Sequence, residues 1–398
     1  MITSLLDCDM YKYKMLYFLY KMKLDNHIVT YRLYNRGNIN LKFLDVKIRE
    51  EVNKLFNLKF KYSELQLLYK HFNDLDFIDY LSKLDIGNAA SMNQDINNLY
   101  YTGKISDLIP FETLIMSTVN EVFSNHTLET MGKFSNEHEQ AFIRKTDEKI
   151  KLIKSCRNIN FVEFGTRRRS NIKFQEIFIE KCLKEIPDKL IGTSNISLAN
   201  KYNIPAIGTI AHEMNMLYAA LAQYQFNKDY QYRNIESYEI DIIQADYLEE
   251  SQKQLVSDYI KIFPDTYFLT DTYGSEWFLK NIKESINLRQ DSGSIAHFVK
   301  LLGKYNKTSS KIMFSDNLNT HKIIDIRYQY PNLDCSFGWG TDTSNDGLIS
   351  PLNIVIKLQS LYIDDYKYNT VKLSDDPGKF LGSKEDITTY KRAFNYKD

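Results

Sequence analysis

The sequence predicts an α/β protein whose larger part is a mostly parallel sheet curled into a (β/α) barrel. Three observations predict this. Beyond about Asn158, short apolar runs recur, and each ends in Gly or a polar cluster. Helical patterns lie between most of these runs, and strand–helix alternation implies parallel strands joined by crossovers. About seven or eight runs fall within some 200 residues, which fits a barrel, and Gly, Arg, His and Asp gather at the strand ends where barrel chemistry sits.

In chain order, roughly the first 130 residues alternate helical and strand patterns without evident chemistry. "DNHIVTYRLYNR" (Asp25 to Arg36) combines β-branched and aromatic residues with alternating polarity, as a strand requires. "LKFLDVKIREEVNKLF" places Leu44, Val46, Ile48, Val52 and Leu55 near helical spacing. The barrel runs follow: "INFVEFGTRRRS", "KLIGTSN", "AIGTIAHE", "YFLTDTYGS", "INLRQDSGS", "IMFSDNLN", "CSFGWGTDT" and "LNIVIKL". Between the first two, "IKFQEIFIEKCLKEI" puts Phe174, Ile177, Phe178 and Leu183 on one helical face. "IAHFVKLLGKY" and "HKIIDIRYQY" supply further helical connections. No solenoid-range repeat and no low-complexity linker interrupts the chain.

A chain of 398 residues suits two domains, and 43% hydrophobic with 26% charged residues is a globular composition. The 51 basic and 51 acidic residues cancel, so no bulk attraction to nucleic acid or an anionic membrane is expected and anion binding must be local. No apolar run approaches the length of a membrane span. The start, "MITSLLDCDMYKYKM", has acids where a signal peptide needs bases, so a cytoplasmic protein is expected. Cys8, Cys156, Cys182 and Cys335 are widely spaced, without a CxxC, so free and mostly buried thiols are expected.

Six segments can carry chemistry. In "EFGTRRRS", Arg167, Arg168 and Arg169 sit between a strand and a helix, where guanidiniums and free N–H groups favour phosphate or carboxylate; a solvated basic turn is the alternative. "FGWGT" offers Gly338 and Gly340, which let backbone approach a phosphate or simply make a tight turn. Asp291 in "RQDSGS" and Asp316 in "FSDNLN" can hold ribose hydroxyls or a hydrated Mg²⁺, or cap helices. "GTIAHEMNM" is no zinc-protease motif, because Met216 stands where the second His belongs. His212 alone among seven histidines follows a Gly-Thr at a strand end, and a chemical role needs a partner for its imidazole. Asp271 in "LTDTYG" is the candidate partner.

In order, "LLDCDMYKYKM", "FETLIMSTVNE", "EFGTRRR", "LIGTSN", "GTIAHE", "RQDSG", "FSDNL", "SFGWGT", "PLNIVIKL" and "VKLSDDPGK" resemble the nicotinate phosphoribosyltransferase family, bacterial-type branch. The resemblance runs nearly end to end, and "FGTRRR" with "GTxAHE" is its most specific part. It implies a type II phosphoribosyltransferase homodimer. An N-terminal α/β sandwich over residues 1–130, completed by 360–398, would join an irregular α/β barrel over 131–359. It implies transfer of phosphoribose from phosphoribosyl pyrophosphate (PRPP) to nicotinate, with ATP as co-substrate and Mg²⁺ as cofactor. His212 would be phosphorylated, Asp271 would pair with it, and Glu213 would shape the site. Tyr11, Phe164, Arg167, Ser194 and Arg289 match nicotinate-binding positions, with Tyr11 covering the partner's site. Asp291, Ser315, Asp316, Gly338, Gly340 and Thr341 match PRPP and phosphate positions, and Asp291 and Asp316 also metal positions. Lys357 and Lys372 match family lysines.

Nicotinamide-using relatives have "GTD" where this chain has Gly192-Thr193-Ser194. An Asp there would repel a carboxylate, whereas Ser194 can donate to one or cap the next helix. Two departures stand out. Ser294 replaces a common Asp after "DSG", and Trp339 is bulky where smaller apolar residues are usual, so it either narrows the phosphate pocket or points into the core.

Overall fold

The strands, in chain order, are β1 (Ile28–Asn35), β2 (Ser91–Met92), β3 (Tyr100–Lys104), β4 (Phe161–Glu163), β5 (Leu190–Thr193), β6 (Tyr267–Leu269), β7 (Asn287–Gln290), β8 (Ile312–Phe314), β9 (Cys335–Trp339), β10 (Ile354–Ile363) and β11 (Tyr366–Asn369). This computed structural model describes residues 1–89, 91–93, 95–132, 135–230 and 237–397. The strands form two sheets. One has the order β11-β10-β1-β3-β2, the other β5-β4-β9-β8-β7-β6.

The first sheet is antiparallel throughout. Val29, Tyr31 and Leu33 alternate inward along β1, as its sequence pattern demands. The run "LNIVIKL", expected among the barrel strands, lies here instead. It forms β10 and pairs antiparallel with β1, from Ile28 opposite Tyr362 to Asn35 opposite Ile354. Only a short 3₁₀ turn, Thr341–Thr343, precedes it. Without a crossover helix it cannot return as a parallel neighbour of β9.

The second sheet is parallel, and an irregular stave closes it. "AIGTIAHE" does not form the regular strand expected of it. Residues 205–210 thread between β5 and β6: Thr193 N donates to Pro205 O (3.1 Å), Ile207 N to Thr193 O (2.8 Å) and Ile210 N to Tyr267 O (3.3 Å). Gly208 explains the irregularity, because its backbone lies against the N-terminal helix, Met10–Met22. A Cβ there would stand 2.6 Å from the Tyr11 backbone nitrogen.

Barrel helices are capped at their starts. Asn171, Asn195, Ser294 and Asn319 accept from Phe174 N, Leu198 N, His297 N and Lys322 N. Asn195 and Asn319 therefore do the capping considered for Ser194 and Asp316, and Ser294, the departure from Asp, caps its own helix. Along Ile172–Glu185 the buried face is Phe174, Phe178, Ile179 and Cys182, while Ile177 and Leu183 are half-buried. In Asp45–Leu55, Ile48, Val52 and Leu55 are buried but Val46 is 63% exposed, two residues and so more than half a turn off that face. Beyond β11 the chain returns as a strap to the barrel mouth, where Leu373 N donates to Thr272 O (2.8 Å).

Gly208→Ala is expected to overpack the contact between stave and N-terminal helix and to cost about 1–3 kcal/mol. Denaturant unfolding of the two proteins checks this.

Candidate active site

The C-terminal ends of the barrel strands, the face of β10 and the strap enclose an open cavity of about 970 Å³. Tyr11, Phe164, Arg167, His212, Glu213, Arg289, Asp291, Ser315, Asp316, Gly338, Gly340 and Thr341 all line it, with Lys357 and Lys372. Asp271 and Ser194 do not line it. Asp271 is fully buried behind His212. Ser194, matched to the substrate carboxylate, is 3% exposed, and its hydroxyl donates to Asp9 Oδ1 at 2.6 Å. That buried carboxylate takes the proton a ligand would need. Tyr11 lies in the wall of this chain's cavity.

The three arginines divide, because successive residues of a 3₁₀ turn point in different directions. Arg169 is fully buried and grips both oxygens of Asp7. Arg168 donates to Ile354 O at 3.1 Å. Arg167 leans into the cavity, 3.4 Å from Glu112 Oε1 and 3.9 Å from Asp9 Oδ2. Beneath it, Lys12 Nζ lies 2.5 Å from Glu112 Oε2 and 2.6 Å from Glu213 Oε1, with no solvent exposure. Tyr11 O–H donates to Glu112 Oε2 at 3.1 Å. Burial works to raise both acids. Lys12, Arg167 and Lys357 nonetheless hold Glu112 down to about 2, whereas Glu213 stays above the ordinary carboxyl range.

Gly338 serves packing as well as the cavity. A Cβ there would lie 2.6 Å from the Phe164 ring, so glycine is what seats that ring. The Arg289 guanidinium stands 5.4 Å from the Phe164 centroid. Its donors reach Ser315 Oγ (2.8 Å), Thr209 Oγ1 (2.8 Å) and Asp291 Oδ1 (2.9 Å). Trp339 points the other way, as strand alternation requires. It is fully buried, edge-on to Phe161 and Phe178, and narrows nothing.

His212 opens the helix His212–Tyr230. Its Nδ1 is 2.9 Å from Thr272 Oγ1. Its Nε2 faces Asp271 Oδ1 at 3.7 Å and Asp291 Oδ2 at 3.5 Å. Burial, helped by the Lys372 ammonium, pulls the imidazole down to about 4 despite the two acids, so it is neutral at pH 7. Burial opposes ionisation of Asp271 and Asp291, but Lys372 beside the first and Arg289 beside the second hold both below the usual range. Arg36 and Lys379 add charge at the cavity rim, and Lys379 Nζ lies 2.9 Å from Asp316 Oδ1.

Lys12, Glu112 and Lys379 lie in segments that carry the resemblance, which gives them no role, and Arg36 lies in none of those segments. The available signal is a charge inside an apolar run: Lys12 in "MYKYKMLYFL" and Glu112 in "LIPFETLIM". Such a charge is buried only if paired.

Burial and the neighbouring Lys372, Arg167 and Arg36 bring Lys357 down to about 8. Pyrophosphate affinity, measured by calorimetry, is therefore expected to weaken as pH rises through about 8, where free Lys357 loses its proton. Lys357→Met is expected to abolish that step.

Residues 159–398 match the nicotinate phosphoribosyltransferase (NAPRTase) family, and residues 6–120 match its N-terminal domain. A nicotinate phosphoribosyltransferase of Acinetobacter baumannii is 28% identical over 98% of this chain and 96% of its own. One from Neisseria meningitidis serogroup C is 29% identical over the same shares. The crystal structure of the Vibrio cholerae nicotinate phosphoribosyltransferase covers all of this chain and 95% of its own, at 25% identity and a TM-score of 0.83. That from Porphyromonas gingivalis, 23% identical with a TM-score of 0.81 over 99% and 100% of the chains, shares the fold. Two family matches that between them take in most of the sequence, at the segments that build this cavity, place the chain in the nicotinate phosphoribosyltransferase family.

Proposed function

We propose that this chain transfers phosphoribose from PRPP to nicotinate, giving nicotinate mononucleotide and pyrophosphate, and couples the transfer to ATP through a phosphohistidine at His212. The observation that carries the proposal is a buried, neutral imidazole at the base of a cation-rich cavity, with two ionised carboxylates at its Nε2. A neutral imidazole keeps a lone pair for the γ-phosphorus of ATP. The N–P bond forms, the bond to the β-phosphate oxygen breaks, and ADP leaves. The carboxylates support the positive charge that grows on the ring, and water later releases the phosphate.

In the transfer itself the nicotinate ring nitrogen bonds to C1 of the ribose as pyrophosphate departs. Tyr11 and Phe164 provide aromatic faces in the cavity wall for the flat ring. Arg167 is the guanidinium with donors to spare for the carboxylate, since Arg289 commits three of its N–H groups to the protein. Lys357, Lys372 and Arg168 line the same cavity and suit the phosphates.

Asp291 and Asp316 each retain one oxygen that no arginine or lysine holds. Both carboxylates line the cavity, and as hard oxygen donors they would suit Mg²⁺, directly or through water. When bound, the ion neutralises charge on the diphosphate.

The test is labelling with γ-labelled ATP, wild type beside His212→Asn, followed by nicotinate and PRPP. Acid-labile label on wild type only, discharged as mononucleotide forms faster, is the expected result. The initial rate of labelling should hold as pH falls from 8 toward 6, since an imidazole with a pKa of about 4 stays neutral there. Mononucleotide without label would remove the coupling, and neither product nor label would overturn the proposal. Arg167→Gln is expected to raise KM for nicotinate by about tenfold or more, with a smaller change in kcat.

A further inference from the structure

The geometry assigns a positioning role to Ser292: its hydroxyl fixes the Asp271 carboxylate so that one oxygen is kept for His212. This rests on the reading of His212 as the phosphorylated group. Ser292 is 1% exposed, sits in the bend after β7 and lies outside the cavity wall.

Its shortest contacts point to one arrangement, with Ser374 Oγ also 3.4 Å from Asp271 Oδ2. A hydroxyl has one proton to give and two lone pairs to accept with. Ser292 Oγ accepts from Ser374 Oγ (2.8 Å) and from Asp375 N (3.1 Å). With both lone pairs taken, the proton goes to Asp271 Oδ2, at 2.5 Å. Asp271 Oδ1 then has no donor among the described residues and faces His212 Nε2, which has none either.

The backbone supplies an independent observation. Ser374 has φ 75 and Gly293 has φ 76, both left-handed. A serine held there is strained, and such strain persists only where the surroundings enforce it. A Cβ on Gly293 would meet the Asp375 Cβ at 2.7 Å, so glycine is what lets the strap reach Ser292. Leu373 N donates to Thr272 O, Ser275 N to Asp375 Oδ1 (2.8 Å) and Tyr396 O–H to Ser374 O (2.7 Å). The strap is thus tied down on several sides at the point where it touches Ser292.

Loss of the hydroxyl leaves Lys372, 3.5 Å from the same Asp271 oxygen, as the strongest remaining attraction, and the carboxylate turns from His212. Ser292→Ala is therefore expected to slow labelling of His212 by γ-labelled ATP about tenfold or more. The KM for nicotinate is expected to stay unchanged, and Ser292→Thr to restore the rate. The ¹⁵N spectrum of the His212 ring should show a changed tautomer or titration in the alanine variant only, which a purely structural role would not produce.

Wild-type labelling together with a wild-type ring spectrum in Ser292→Ala would overturn the inference. If that variant does not fold, Ser292→Cys, whose thiol is only a weak donor, serves the same comparison, with the same overturning result. Should wild type itself take no label, the phosphohistidine reading fails, while the ring spectra still decide whether Ser292 sets Asp271.

Discussion

One ammonium group, buried without solvent exposure, holds the cavity together. Lys12 comes from the helix Met10–Met22, Glu112 from Phe111–Thr130 and Glu213 from His212–Tyr230. Its contacts at 2.5 and 2.6 Å therefore join three helices from distant parts of the chain. A buried ion pair stabilises little against an apolar replacement, but removing one partner strands a charge and costs about 3–5 kcal/mol. The arrangement is thus better understood as fixing geometry. Through Glu112 it sets the Tyr11 hydroxyl and the Arg167 guanidinium. Through Glu213 it sets the first turn of the helix that carries His212.

A second buried acid does the same for the strand ends. Glu163, at the end of β4, accepts from Gly165 N, Thr343 Oγ1, Gln175 Nε2 and Thr193 Oγ1. Burial raises its pKa and the hydrogen bonds oppose that rise. Four donors from separate parts of the chain are thereby tied to one strand terminus, which fixes the turn that aims Arg167. The irregular stave complements this. Because residues 205–210 close the ring without regular pairing, the chain is free to follow the N-terminal helix and deliver His212 to the cavity rather than to a strand face.

The charge distribution follows from these constraints. The chain is neutral overall, yet Arg36, Arg167, Arg168, Lys357, Lys372 and Lys379 converge on one cavity. Packing cations together in a half-dry site costs energy, and Arg168 and Lys357 register it, since burial and their neighbours lower both, to about 10 and about 8. A polyanionic ligand relieves that repulsion. Against this background a neutral His212 is the exception, and the adjacent ammonium of Lys372 is part of what keeps it so.

Local pattern alone determined the strands of the barrel, the helices between them and the polar groups at their ends. These are short-range properties: period, capping and glycine placement. Arg167, His212, Asp291 and Gly338 were legible for that reason, since each stands near the end of an apolar run, whereas Arg289 was legible only through the family resemblance. Only tertiary structure decided the rest. It moved "LNIVIKL" into the antiparallel sheet and turned the Ser194 hydroxyl to Asp9. It aimed Trp339 into the core and paired Lys12 with acids 100 and 201 residues away. Side-chain partners of this kind are chosen by which elements pack together, and a buried charge takes the nearest opposite charge in space, whatever its distance along the chain.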